Sequence, residues 1–328
     1  MMKRFSHTLI SLLLTVSVLA AAVPVHAEEP SIAAMREHSQ KIMPFSCTVE
    51  VHPLTHPMFS DAGEATQYEM QRLAARQQEF GRSMDQATYE KVLQNNVKYY
   101  LEGNMSDYVT LYYYKCLDMD TFMLTVYDTV LQKTMQIQLF DASFTADYDP
   151  NQRSLMIMPL GERRRETIPF LAHEIVYQLD ENTVSVSSQD NHYILEASRN
   201  PYDSSTFVFS PGRPFIPEKI TRNTLAWHTE NEYLDFVTYD GFTIPHTILF
   251  QQYNQHPVTN EFWLKYEITY KVTEFKVEDY MSEKDLDIVI PAGTRIFNGF
   301  TNTSYTSSTG TEDSSTTVRA IVDDMLKQ

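Results

Sequence analysis

From Phe262 to Val277 apolar and polar residues alternate: Phe262, Leu264, Tyr266, Ile268, Tyr270 and Val272 share one parity, Lys265, Glu267, Thr269 and Lys271 the other. A period of two over this length predicts one long, half-buried antiparallel strand in a sheet with one apolar face. The parity then slips, because Phe275 and Val277 are odd-numbered. A β-bulge or bend near Thr273-Glu274 is expected to keep apolar groups on the buried side. Upstream, short runs between turn formers predict a meander with strands over 45–51, 98–101, 108–114, 122–127, 135–140, 144–148, 154–158, 173–179, 183–187, 193–198, 206–209, 216–226, 233–239 and 242–253. Asp240-Gly241 is expected to join the last two as a tight hairpin.

Helical patterning is confined to a few places. Residues 31–43 predict a helix with Ser31 as N-cap, a narrow stripe of Ile32, Met35, Ser39 and Ile42, and Pro44 as its stop. Residues 61–96 predict two helices broken at Gly81, with Leu73 and Phe80 among the apolar positions. This insertion is expected either to cover one mouth of the sheet or to form a peripheral lid. Gly299 to Thr317 is mostly Ser and Thr and predicts a flexible tail, and Val318, Ile321, Val322 and Leu326 predict a short helix after it.

The N-terminus changes the setting. A basic start at Met1 to Arg4, an apolar run from Phe5 to Val23 and Val25-His26-Ala27 predict a signal peptide cleaved after Ala27 and a periplasmic product; a retained anchor is the alternative. The expected organisation is a signal peptide at 1–27, one domain at 28–298 with a helical insertion at about 53–96, and a tail at 299–328. The fold class expected is α+β and mostly β: a curved antiparallel sheet, an incomplete barrel, with helices covering its concave side.

Composition narrows the partners. A formal net charge of −17 without a clustered basic face argues against nucleic acid. Twenty Tyr and 18 Phe against 9 Gly suit strands better than a coenzyme-binding α/β fold. Cys47 and Cys116 are candidates for one disulfide, closing a loop of about 70 residues, or for two buried free thiols.

Candidate chemistry is thin. His38, His52 and His56 lie around prolines without a ligand frame, so no metal is expected. His173-Glu174 begins like a zinc-protease helix, but position 177 is Tyr. Nucleophile elbows, phosphate loops and dinucleotide fingerprints do not occur, and no cofactor or catalytic residue is expected. A glycosidase carboxylate pair stays open among so many acidic residues. Arg163-Arg164-Arg165 is read as a solvated loop or as a contact for an acidic headgroup or partner.

Four runs taken together carry a resemblance: Asp240-Gly241-Phe242-Thr243-Ile244-Pro245, the alternating strand from Phe262, Lys276-Val277-Glu278-Asp279-Tyr280, and Ile288-Val289-Ile290-Pro291-Ala292-Gly293-Thr294. In that order they resemble the terminal region of the LolA-like superfamily of periplasmic lipoprotein carriers and sorting-type proteins. The resemblance implies a curved half-barrel capped by helices, with an apolar cavity for acyl chains. Leu264, Tyr266, Ile268, Tyr270, Leu234 and Phe236 are the candidate ligand-facing residues. The function expected is non-enzymatic and extracytoplasmic: binding of a lipid or of a lipidated partner's acyl chains, as in outer-membrane lipoprotein sorting. The alternative is an envelope scaffold or sensor module with a filled core that binds another protein.

Overall fold

A computed structural model describes residues 30–81, 84–105, 109–118, 120–160, 168–169, 184–200, 202–213, 215–307 and 316–326. The expected signal peptide, the strand at 173–179 with His173-Glu174, and Arg163-Arg164-Arg165 lie outside the described residues.

Helix α1 (Ile32–Lys41) leads into β1 (Phe45–Thr55), and α2 (Ala62–Phe80) and α3 (Gln86–Glu102) follow. The first run of strands is β2 (Asn104–Met105), β3 (Thr110–Cys116), β4 (Phe122–Asp128), β5 (Lys133–Phe140), β6 (Phe144–Asp149) and β7 (Ser154–Pro159). The second is β8 (Val184–Gln189), β9 (His192–Asn200), β10 (Asp203–Phe209), β11 (Lys219–Asn223), β12 (Trp227–Tyr239), β13 (Phe242–Gln255) and β14 (Phe262–Val277). A 3-10 turn at Glu283–Leu286 precedes β15 (Val289–Ile290), β16 (Arg295–Asn298), β17 (Thr303–Thr306), β18 (Thr316–Thr317) and α4 (Val318–Leu326).

One large sheet runs in the order β17, β16, β7 to β3 in descending order, β1, and then β14 down to β8, with β2 attached to β1. It is not closed into a barrel, so the mostly-β, helix-covered half-barrel expected from the sequence is the fold observed. Its pairs are antiparallel except β7 with β16. Strand β14 has the predicted bounds. Its bulge lies where the parity slips: Thr48 faces Glu274 and Val49 faces Val272, leaving Thr273 as the extra residue. Both Val272 and Phe275 are thereby buried. At the β12–β13 hairpin Asp240 and Gly241 both take positive φ, 48° and 84°, as a two-residue turn of this kind requires.

The inward face holds the main core, in which Phe45, Val49, Val51, Ile248, Val272 and Phe275 meet Met35 of α1 and Ile42, its C-cap. Near β5 to β7 the sheet carries a second core on its other side. There Leu139, Tyr148, Leu155 and Ile157 are covered by Leu286, Ile288, Ile290 and by Val318 and Val322 of α4. The C-terminal segment expected as a tail therefore contributes a docked helix, and residues 303–306 pair with β16; residues 308–315 lie outside the described residues.

Two further differences have local causes. Residues 98–101, expected as strand, continue α3, because Asn96 and Tyr100, one helical turn apart, both bond the carboxylate of Glu69. Cys47 and Cys116 are free and buried, so the disulfide alternative is not what forms. Cys47 lies opposite Tyr114 and Cys116 opposite Phe45. Such diagonal neighbours are roughly 7–8 Å apart at Cα, beyond the roughly 4.4–6.8 Å a disulfide spans.

Candidate functional site

The inward face of β14 is graded along its length. Val272 is fully buried, whereas Tyr270, Ile268 and Tyr266 are only partly covered. Across the sheet these residues form rows. Val51, Tyr270, Ile248 and Tyr233 make a lower row, two of its members, Ile248 and Tyr233, at 1% and 3% exposure. Pro53, Ile268, Phe250 and Asn231 make the next, half-open one. Thr55, Tyr266, Gln252 and Thr229 form the rim. The opposite face is polar here, with Gln251 donating to Glu267 at 2.8 Å and Tyr253 to Gln251 at 3.1 Å. The face is thus a filled base under an apolar step that water reaches.

A second irregularity reorganises the end of the strand. Gln252 faces Tyr266 but Tyr253 faces Leu264, so Lys265 is an extra residue. Beyond it the faces exchange. Trp263 joins the side of Tyr266, whereas Leu264 and Phe262 turn to the other side, where Phe262 and Tyr253 pack on His228 at 5.0 and 4.4 Å between ring centroids. Leu264 therefore does not belong with Tyr266, Ile268 and Tyr270, as the parity of the sequence implied.

Leu234 is also set apart, whereas Phe236 borders the same main core as Ile268 and Tyr270. Leu234 pairs with Thr247, on the face opposite Tyr233 and Ile248, and is 42% exposed. Phe236 follows Asp235, whose φ of 52° interrupts the strand, and lies under the Arg213 guanidinium at 3.7 Å. Of the six candidate residues the structure sets three in line on β14, Tyr266, Ile268 and Tyr270, and places Phe236 against the main core. It adds Phe250, missed because β13 alternates weakly, and Trp263, whose position between Phe262 and Leu264 was the available signal of a second phase slip.

The helical insertion stands at the mouth beside Tyr266 rather than over the inward face. Asp61 caps α2 by accepting from the Glu64 N–H at 2.9 Å, Gly81 ends it in the left-handed region at φ 60°, and Asp85 caps α3. Glu69, fully buried, ties the two helices. It accepts two bonds from Arg72 at 2.6 and 2.8 Å, one from Asn96 at 2.7 Å and one from the Tyr100 hydroxyl at 2.8 Å. Burial pushes this carboxyl up, but the hydrogen bonds and the Arg72 charge outweigh it and hold Glu69 below the usual carboxylate range. Burial, reinforced by the Glu69 carboxylate, pushes the Tyr100 phenol up.

Aromatic contacts fasten this hairpin to the sheet. Phe59 packs on Tyr68, Tyr100 and His256 with centroids 5.4, 6.2 and 4.9 Å away. The Nδ1 of His256 accepts from the N–H groups of Val258 and Thr259, which leaves Nε2 to donate to the Met58 carbonyl at 3.1 Å. Gly103, at φ 65°, lets the end of α3 approach so closely that a Cβ would collide with the Thr55 carbonyl oxygen. Between hairpin and sheet remains a cleft of about 380 Å³, walled by Tyr68, Tyr99, Tyr100, Trp263 and Tyr266.

The three histidines of the early segment are dispersed. His38 stacks on Phe215 at 5.6 Å, His52 faces Glu50 at 3.4 Å and His56 lines the cleft. Among the described residues no three His, Cys, Asp or Glu side chains gather as a metal site. A shallower groove of about 830 Å³ lies between β5 to β7 and β16–β17, with Gln136 donating to Asp147 at 2.6 Å on its floor.

No family model matches the sequence, and no curated protein matches it. Solved structures do resemble the chain. One is a domain described as an outer membrane lipoprotein-sorting protein, from Vibrio parahaemolyticus; it is 11% identical, with a TM-score of 0.44 over 78% of this chain and 94% of its own. Another is a LolA superfamily protein from Nitrosomonas europaea; it is 10% identical, with a TM-score of 0.41 over 76% of this chain and 95% of its own.

Proposed function

We propose that this chain is an extracytoplasmic, non-enzymatic binding protein that holds a lipid, or the acyl chain of a lipidated partner, on the inward face of β13 and β14. The observation that carries the reading is the step from a buried row to a half-open one: Ile248 is sealed, while Ile268, Phe250 and Tyr266 stay partly exposed beside it. Apolar surface left in water at a concave step is surface a hydrocarbon chain can cover, at roughly 25 cal/mol for each Å² removed from solvent. The neighbouring cleft supplies an entrance with aromatic walls. The export signal read from Met1 to Ala27 supports an extracytoplasmic setting, and the LolA-like resemblance of the C-terminal half supports lipoprotein sorting as the process.

Extraction of natively purified protein, followed by mass spectrometry of the organic phase, tests this. A stoichiometric acyl lipid is expected; protein that carries none and takes none up from mixed vesicles refutes the reading.

The filled lower rows favour a second reading, an envelope scaffold or sensor module whose sheet closes over its own side chains. That reading expects capture of a protein partner and no lipid.

A further inference from the structure

We propose that the cleft between the helix hairpin and the β13–β14 end is a head-group site for an anionic amphiphile, a carboxylate or phosphate on an apolar chain, with Lys265 as its counter-charge. The proposal rests on the lipid-binding reading above and adds the polarity and charge of the ligand. Its first support is composition: in a protein of net charge −17, the lining of this cleft contains a lysine and a histidine and no carboxylate.

The second support is how Lys265 arrives there. It is the extra residue of the β14 bulge, and bulges re-aim side chains at the cost of a ladder position. Its Nζ lies 4.7 Å from the centroid of the Tyr266 ring, and no carboxylate pairs with it among the described residues. The same bulge turns Trp263 into the cleft beside Tyr266.

Among the other lining side chains, His56, Asn254 and Gln255 are polar without negative charge.

The volume, about 380 Å³, admits a head group and a few carbons. Tyr266 belongs both to the cleft wall and to the rim row of the inward face, one step from Ile268 and Phe250. A chain whose head meets Lys265 can therefore continue along Tyr266 onto the half-open apolar row.

The test uses the intact protein carrying Trp227→Phe, so that fluorescence reports Trp263, titrated with dodecanoate, dodecanol and inorganic phosphate. Dodecanoate is expected to bind about tenfold more tightly than dodecanol, the size of one charge-assisted contact. Lys265→Met is expected to lose the preference and to bind the two equally. Where that variant melts early, salt replaces it: the preference for dodecanoate must shrink as ionic strength rises. Equal affinities in the parent, or a preference that survives Lys265→Met, overturn the head-group assignment and leave the lipid-binding reading standing. Failure of both amphiphiles to bind overturns both. Phosphate binding without amphiphile binding would mark a site for a free oxyanion and equally overturn the proposal.

Discussion

The backbone N–H of His56 donates to the carbonyl oxygen of Lys265 across 3.0 Å, fastening the chain just beyond β1 to the bulge that reverses the faces of β14. Deleting Lys265 removes the extra residue and restores alternation. Leu264 and Trp263 should then keep their present faces, in unbroken register with Tyr253 and Asn254. In a Trp227→Phe background the emission of Trp263 is expected to stay as in the parent while the preference for a charged head group is lost, with the fold retained at a cost of about 1–2 kcal/mol. A shifted Trp263 emission would show that the strand does not hold this register without the bulge.

Glu69 makes the hairpin sensitive to acid. Its folded pKa lies below the ordinary 4.5, so the stabilisation is fully present above the unfolded value and is lost as pH falls through the folded one. Glu69→Gln should cost about 1–3 kcal/mol at pH 6, because Arg72 loses its ionised partner. The gap in thermal midpoint between wild type and Glu69→Gln should narrow from pH 5 to about pH 3. A gap that does not change with pH would contradict the ionised network.

Gly103→Ala probes the seat of the hairpin. A Cβ would meet the Thr55 carbonyl, and a positive φ is strained for alanine. The substitution is expected to cost about 1–3 kcal/mol and to widen the cleft. Calorimetry together with amphiphile titration checks it; wild-type behaviour in both would mean the approach is not tight.

Both thiols should be inert in the folded protein. Burial pushes Cys47 and Cys116 well above the ordinary thiol range, only partly offset at Cys47 by a hydrogen bond from the Tyr114 backbone. Two equivalents of an aromatic disulfide reagent should react in guanidinium and none within minutes in buffer. Prompt native labelling would contradict the burial of these strands.

Much of the sheet was legible because one buried face imposes a period of two, and the Thr273 bulge was legible because Phe275 and Val277 keep their burial by changing parity. The Lys265 bulge was not, since Phe262-Trp263-Leu264 offers an apolar residue to either face and only pairing with β13 decides between them. The helical state of residues 98–101 was hidden for a similar reason. Tyr99 and Tyr100 favour strands locally, and the buried Glu69 that holds Tyr100 in α3 lies 31 residues away. The second core was not legible because it joins β5 to β7 with α4, which follows a Ser/Thr-rich run that reads as solvent-exposed.

The claim that the half-open row is a lipid-binding wall is tested most directly by measuring affinity for a fluorescent fatty acid and thermal midpoint in Ile268→Asp beside Ile248→Asp. Ile248 is sealed at 1% exposure, so its substitution should cost several kcal/mol, roughly 3–5, by burying an unpaired charge. Ile268 is partly exposed, so its substitution should cost only about 1 kcal/mol while abolishing micromolar binding. Ile268→Asp that melts as early as Ile248→Asp, or that binds the fatty acid as the wild type does, would contradict the account.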